Sequence, residues 1–140
     1  QPEGSAYPPI LQLNHIEGTV KVDGAGGQIE FTPFEVAHGQ ITALGFRIGP
    51  VAYLPDVSAM PPAAWEALAG IDCWILDALR RDPHPSHSHL AQSIEWIDQS
   101  NVARAVLTNM HNDLDYATLQ VELPKHILPA FDGMVLSYDL

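Results

Sequence analysis

Apolar residues recur along this chain with two different periods, and the period changes near its middle. Thr19-Val20-Lys21-Val22 alternates as a strand does, and the small polar cluster Asp23-Gly24-Ala25-Gly26-Gly27 behind it reads as a turn. A second strand is predicted over Gln28–Val36, running out into Ala37-His38-Gly39. Ala43–Ile48 and Val51–Leu54 flank Gly49-Pro50, so the two runs predict a hairpin. Pro61-Pro62 then opens a helix that reaches Ala69, with proline early in the first turn and Gly70 just past the end. Asp72–Asp77 is a short apolar run with an acid at each end, which predicts a buried strand. Leu90, Ile94 and Ile97 make one helical face and predict a helix over Leu90–Gln99. Ala103–Leu107 predicts another buried strand, Asp113–Leu123 a helix stopped by Pro124, and Met134–Tyr138 a last strand.

Early hairpins followed by strand–helix alternation imply an α/β (α+β) fold: a mixed sheet with helices mainly on one face. At 140 residues the chain fits a single domain, residues 1–140. The strands after position 70 are apolar on both faces. Helices cover one face, and few elements remain to cover the other.

Composition changes this picture in what it excludes. Hydrophobic residues are 46% and charged residues 16% of the chain, the reverse of a disordered composition. No apolar run approaches the ~18 residues of a membrane span, and no charged-then-apolar leader is visible. A single cysteine, Cys73, rules out an internal disulfide and fits a reducing, cytoplasmic compartment. Six basic residues face 17 acidic ones, a net charge of −11. Such a surface repels phosphate backbones, so nucleic acid is a poor partner. A small anion needs a local positive centre, and seven histidines make a bound metal ion the economical source of one.

The candidate chemistry sits where predicted strands end, which is where sites collect in such sheets. His38 follows the second strand, Asp56 follows Val51–Leu54, Asp77 closes Cys73–Leu76, and Asn109 and His111 follow Ala103–Leu107. Imidazole and carboxylate together suit Zn, Mn or Fe without thiolate. Each residue also has a plainer reading. His38 can be an ordinary loop histidine, Asp56 a turn cap, Asp77 a loop anchor, and His111 a partner of Asp113 or Asp115. The loop Pro83-His84-Pro85-Ser86-His87-Ser88-His89 can be a solvated stretch that binds metal adventitiously, or a metal module in its own right. Cys73 lies inside an apolar run and reads as packing, and no Gly-x-Ser-x-Gly elbow occurs.

Joint motifs carry a resemblance. Phe34-Glu35-Val36-Ala37-His38-Gly39, Gly45-Phe46-Arg47-Ile48 and Ala52-Tyr53-Leu54-Pro55-Asp56-Val57 form its first part. Ile75–Arg80, Pro85–Leu90, Leu107-Thr108-Asn109-Met110-His111, Tyr116 and Ala130-Phe131-Asp132-Gly133-Met134 continue it, and the arm Gly4–Ile10 belongs to it too. Together they resemble the C-terminal half of metallo-β-lactamase-fold hydrolases, in the branch of bacterial cyclic phosphodiesterases and, more distantly, tRNA-tail-processing endonucleases. The resemblance implies half of an αββα sandwich and a centre of two divalent metals that activates water against a small phosphoester. In that frame His38 and Asp56 resemble metal ligands, His87 the histidine near the scissile phosphate, and Asp77 an acid behind the ligands. Asn109 stands where many relatives have a ligand histidine. If the segment stays extended, His111 points the same way and takes over that role, leaving Asn109 behind it. The family's His-x-His-x-Asp-His cluster is absent. The expectation is therefore a fragment with an incomplete metal site and little activity alone. Its uncovered sheet face is expected to pair with a second copy or with the missing N-terminal half. A non-catalytic metal-binding or structural module is the alternative.

Overall fold

The computed structural model describes residues 11–139. The arm Gly4–Ile10 lies outside the described residues. Seven strands and three helices follow one another as β1 (Val20–Gly24), β2 (Gly27–His38), β3 (Ile41–Ile48), β4 (Val51–Leu54), α1 (Pro62–Ala67), β5 (Cys73–Asp77), α2 (Leu90–Ser100), β6 (Arg104–Thr108), α3 (Tyr116–Glu122) and β7 (Ile127–Pro129). They form one sheet in sequence order, β1 to β7. β1 to β4 pair antiparallel and β4 to β7 pair parallel. This is the mixed sheet that the pattern predicts. The switch to parallel pairing falls where helices begin to separate strands, because a parallel neighbour needs a crossover.

Register sorts the side chains onto two faces. Ala52, Trp74, Ala105 and Ile127 lie side by side on neighbouring strands, and Leu54, Leu76 and Leu107 form the next row. These residues share one buried cluster with Ala64 of α1, Leu90 and Ile97 of α2, and Leu119 of α3, so all three helices pack on this face. Gly45 of β3 belongs here as well. A Cβ on it would sit 2.4 Å from Phe34 Cζ and 3.0 Å from Leu54 Cδ1, so only glycine lets the Phe34 ring lie across β3. Arg47 reaches round the end of α1, donating from Nη1 to the carbonyls of Ala67 and Ala69 at 3.0 and 2.7 Å.

The opposite face carries an apolar row: Val22 beside Ile29, Phe31 against Phe46, then Tyr53, Ile75, Val106 and Leu128 on successive strands. No helix covers it among the described residues. Tyr53, Val22 and Ile29 are exposed, while Val106 is buried.

The last predicted strand needs correction. Met134–Tyr138 keeps a strand's alternation, with Met134, Leu136 and Tyr138 half-buried and Val135 and Ser137 exposed, but it joins no ladder. The seventh strand is instead Ile127–Pro129, three residues ending in a proline, too short for a period to show. The third helix starts at Tyr116 and not at Asp113, because Asp115 caps it by accepting from the Thr118 N–H at 2.9 Å. No helix of the described residues is long and apolar enough to cross a membrane.

Candidate metal centre

β2, β4, β5 and β6 all point the same way, so their C-terminal ends meet at one edge of the sheet. His38 ends β2, Asp56 lies two residues past β4, and Asp77 ends β5. The loop between β5 and α2 folds back to add His87. That loop is held at both ends by backbone bonds, Leu79 N–H to Ser88 at 3.0 Å and Leu90 N–H to Arg80 at 2.9 Å. Arg80 braces it from within, donating to the carbonyls of Asp82 at 3.1 Å and Pro83 at 2.7 Å.

One donor atom each of His38, Asp56 and His87 lies within 4.8 Å of the other two. The His38 and His87 rings meet edge to face, with centroids 4.6 Å apart. His38 Nδ1 lies 2.6 Å from the Ser86 carbonyl oxygen. A carbonyl can only accept, so Nδ1 carries the proton and Nε2 keeps its lone pair. His87 Nδ1 lies 2.8 Å from Asp77 Oδ2, which fixes the same tautomer. Metal-binding histidines characteristically engage their second ring nitrogen in this way, with a carbonyl or a carboxylate. Two imidazoles so oriented and a half-exposed carboxylate therefore fit a divalent metal of the Zn, Mn or Fe type.

Asp77 is fully buried. Besides His87, its carboxylate accepts from the Val57 N–H at 3.3 Å and from Asn109 Nδ2 at 3.3 Å. Burial pushes its pKa up, and the hydrogen bonds from His87, Val57 and Asn109 pull the other way. Its main-chain carbonyl takes two hydroxyls, Ser88 Oγ at 2.8 Å and Ser93 Oγ at 2.7 Å. Both serines are fully buried and tie the start of α2 to the end of β5. Neither carries a signal of its own in the sequence, since Ser88 sits between two histidines and Ser93 inside a helix.

His111 is not brought to this group. The extended run ends at Thr108, and Asn109 turns the chain with φ 60°, so positions 109 and 111 do not share a direction. His111 is exposed and its Nδ1 lies 3.3 Å from Asp113 Oδ1. Asn109 instead acts as a clip, donating from Nδ2 to the Pro55 carbonyl at 3.2 Å as well as to Asp77. It thereby joins the residue before Asp56 to the acid behind His87. His84 was one of several loop histidines in the sequence. Its ring stands 5.2 Å from that of His87. Desolvation first, and then the charge of Arg80 and the neighbouring imidazoles of His87 and His38, hold its pKa below the usual histidine value.

Comparison with known proteins identifies the family and the fold. Residues 2–110 match the family model described as the Beta-lactamase superfamily domain, and the chain belongs to that family. A crystal structure of a new diphosphatase from the PhnP family superposes with a TM-score of 0.83 at 34% identity, over 90% of this chain and 48% of that one. Zn(2+)-bound PqqB from Methylobacterium extorquens shares the fold, with a TM-score of 0.63 at 16% identity over 88% of this chain and 55% of that one. A protein of Porphyromonas gingivalis named octanoyltransferase is 31% identical over 133 residues, 91% of this chain but 26% of that protein. The chain thus spans about half the length of these solved relatives and about a quarter of the curated one.

Proposed function

We propose that this chain carries the C-terminal flank of a metal-dependent phosphoester hydrolase centre, of the phosphodiesterase type, acting on a small phosphoester. The observation that carries the reading is the convergence of His38, Asp56 and His87 with the buried Asp77 holding His87 from behind. His38 and Asp56 would be the ligands, joined by the Nε2 lone pair of His87 while that ring is neutral, and the resemblance makes Asp56 the carboxylate shared between two cations. A divalent metal held there supplies an acidified water and positive charge to offset the phosphoryl oxygens. His87 would stand beside the reacting phosphate, and once Nε2 has taken up a proton it would hand that proton to the leaving oxygen. Asp77 keeps that ring in one orientation and one tautomer. Three protein donors are few for two metals, so the chain alone is expected to bind metal weakly and to hydrolyse esters at a small fraction of an enzyme's rate.

The likeness to the diphosphatase supports phosphoester chemistry. The name of the P. gingivalis relative speaks of octanoyl transfer, but the match covers only 26% of that protein. The test is metal content by elemental analysis after equilibration with Zn or Mn, run beside His38→Ala and Asp56→Asn. Uptake that both substitutions abolish supports the reading. Uptake that survives them but is lost in a His84, His87 and His89 triple substitution would reject it in favour of a metal-binding loop.

A further inference from the structure

The three imidazoles at this edge are not equivalent. His38 and His87 each spend Nδ1–H on a fixed acceptor, the Ser86 carbonyl and the Asp77 carboxylate. His84 is set the other way round. The Ser86 backbone N–H donates to His84 Nδ1 at 3.3 Å, and the Ser86 hydroxyl lies at the same distance. A backbone N–H can only donate, so Nδ1 of His84 is an acceptor and the proton of its neutral ring resides on Nε2. Ser86 therefore reads both kinds of histidine at once: its carbonyl fixes His38 as a lone-pair donor and its amide fixes His84 as an N–H donor.

We infer that His84 is an anion-binding residue of this centre, presenting Nε2–H to a non-bridging oxygen of a phosphate beside the His38, Asp56 and His87 donors. Three features of the loop serve that role. The His84 ring stands next to that of His87, so an oxygen held by one is within reach of the group served by the other. It is half-buried, open enough to meet a ligand. It sits on a stretch braced by Arg80, whose guanidinium is bonded to two loop carbonyls and adds positive charge in a chain of net charge −11. His84 cannot double as a metal ligand through Nδ1 without breaking its bond to Ser86. The geometry thus divides the work: lone pairs from His38 and His87, a hydrogen-bond donor from His84.

This inference rests on the proposed hydrolytic reading, and the experiment separates the two. Long-range proton–nitrogen NMR spectra of the metal-free chain report each tautomer directly. The expected pattern is Nε2–H for His84 and Nδ1–H for His38 and His87. Inorganic phosphate is then titrated with and without saturating Zn, following the His84 ring signals. Phosphate affinity is expected to fall about tenfold in His84→Ala, the scale of one hydrogen bond to a charged group. Zn affinity should stay within about twofold of wild type, and His84→Gln, which keeps an N–H at a similar reach, should restore phosphate binding. An Nδ1–H tautomer at His84, ring signals indifferent to millimolar phosphate, or equal phosphate affinity in wild type and His84→Ala would each overturn the inference. Loss of Zn in His84→Ala would overturn it too, by making His84 a ligand. A wild-type chain with no Zn uptake would count against the hydrolytic reading alone, because the tautomers and the phosphate titration without Zn still decide the role of His84.

Discussion

Asp77 shows how one residue carries both folding and chemistry. Its two carboxylate oxygens serve three donors: His87 and Val57 on Oδ2, Asn109 on Oδ1. An amide cannot serve them all, since it accepts on one side only. In Asp77→Asn, turning the NH2 towards His87 strands the Val57 N–H, and turning it towards Asn109 sets two donors against each other. The substitution is therefore expected to cost about 1–3 kcal/mol of stability, read by urea denaturation. The first arrangement also forces the proton of His87 onto Nε2. Metal affinity should then fall about 10- to 100-fold, the usual effect of losing a group that orients a ligand. Full stability with unchanged metal affinity would show that Asp77 orients nothing. The sequence made Asp77 legible as an acid at a strand end, but not its three donors, which come from positions 57, 87 and 109. His111 illustrates the opposite limit. Its spacing from Asn109 predicts a shared direction only in an extended chain, and the positive φ of Asn109 removes that premise.

Individual elements were read well where a full period fits inside them. β4, β5 and α2 emerged close to their predicted bounds, because apolar alternation or a helical face spans each one. β7 did not, since three residues cannot display a period. Met134–Tyr138 was read as a strand because its alternation is real; it reflects one side lying against the protein, and ladder pairing needs a neighbour that local sequence does not specify. Two predictions belong at this scale. Gly45→Ala is expected to destabilise by about 1–3 kcal/mol, because its Cβ would collide with the Phe34 ring. A denaturation midpoint equal to wild type would mean that Phe34 can move aside freely. The second concerns α3. The bonds from the Thr118 side chain and N–H hold the Asp115 pKa below its ordinary value of 3.8. A carboxylate with a depressed folded-state pKa gives stability that is complete above the ordinary value and lost as pH falls through the folded one. Asp115→Asn keeps a good helix cap, since the two residues cap about equally well. It should match wild type in Tm at pH 7 and lose less Tm than wild type between about pH 4 and pH 2. Equal losses over that range would remove Asp115 from the acid transition.

At the scale of the whole molecule, the unequal faces of the sheet matter most. One face is closed by three helices, while the other carries an apolar row across all seven strands that is buried at Val106 and exposed at Tyr53, Val22 and Ile29. The sequence indicated this imbalance, because the later strands are apolar on both sides and too few elements follow to cover both. Apolar side chains left exposed together on one face are a natural site of association. Two copies packed sheet on sheet would bury it symmetrically, in layers like those of a complete αββα sandwich. The charge of −11 on each copy opposes that association, and salt screens it. Light scattering at micromolar concentration is therefore expected to give twice the 15.3 kDa chain mass, with the dimer fraction rising as NaCl increases. Tyr53→Glu should return the chain to monomer without unfolding it, since Tyr53 is already 41% exposed and outside the helix-covered core. A wild-type mass of one chain at both low and high salt would rule out self-pairing through this face. The apolar row would then be left for a different polypeptide to cover.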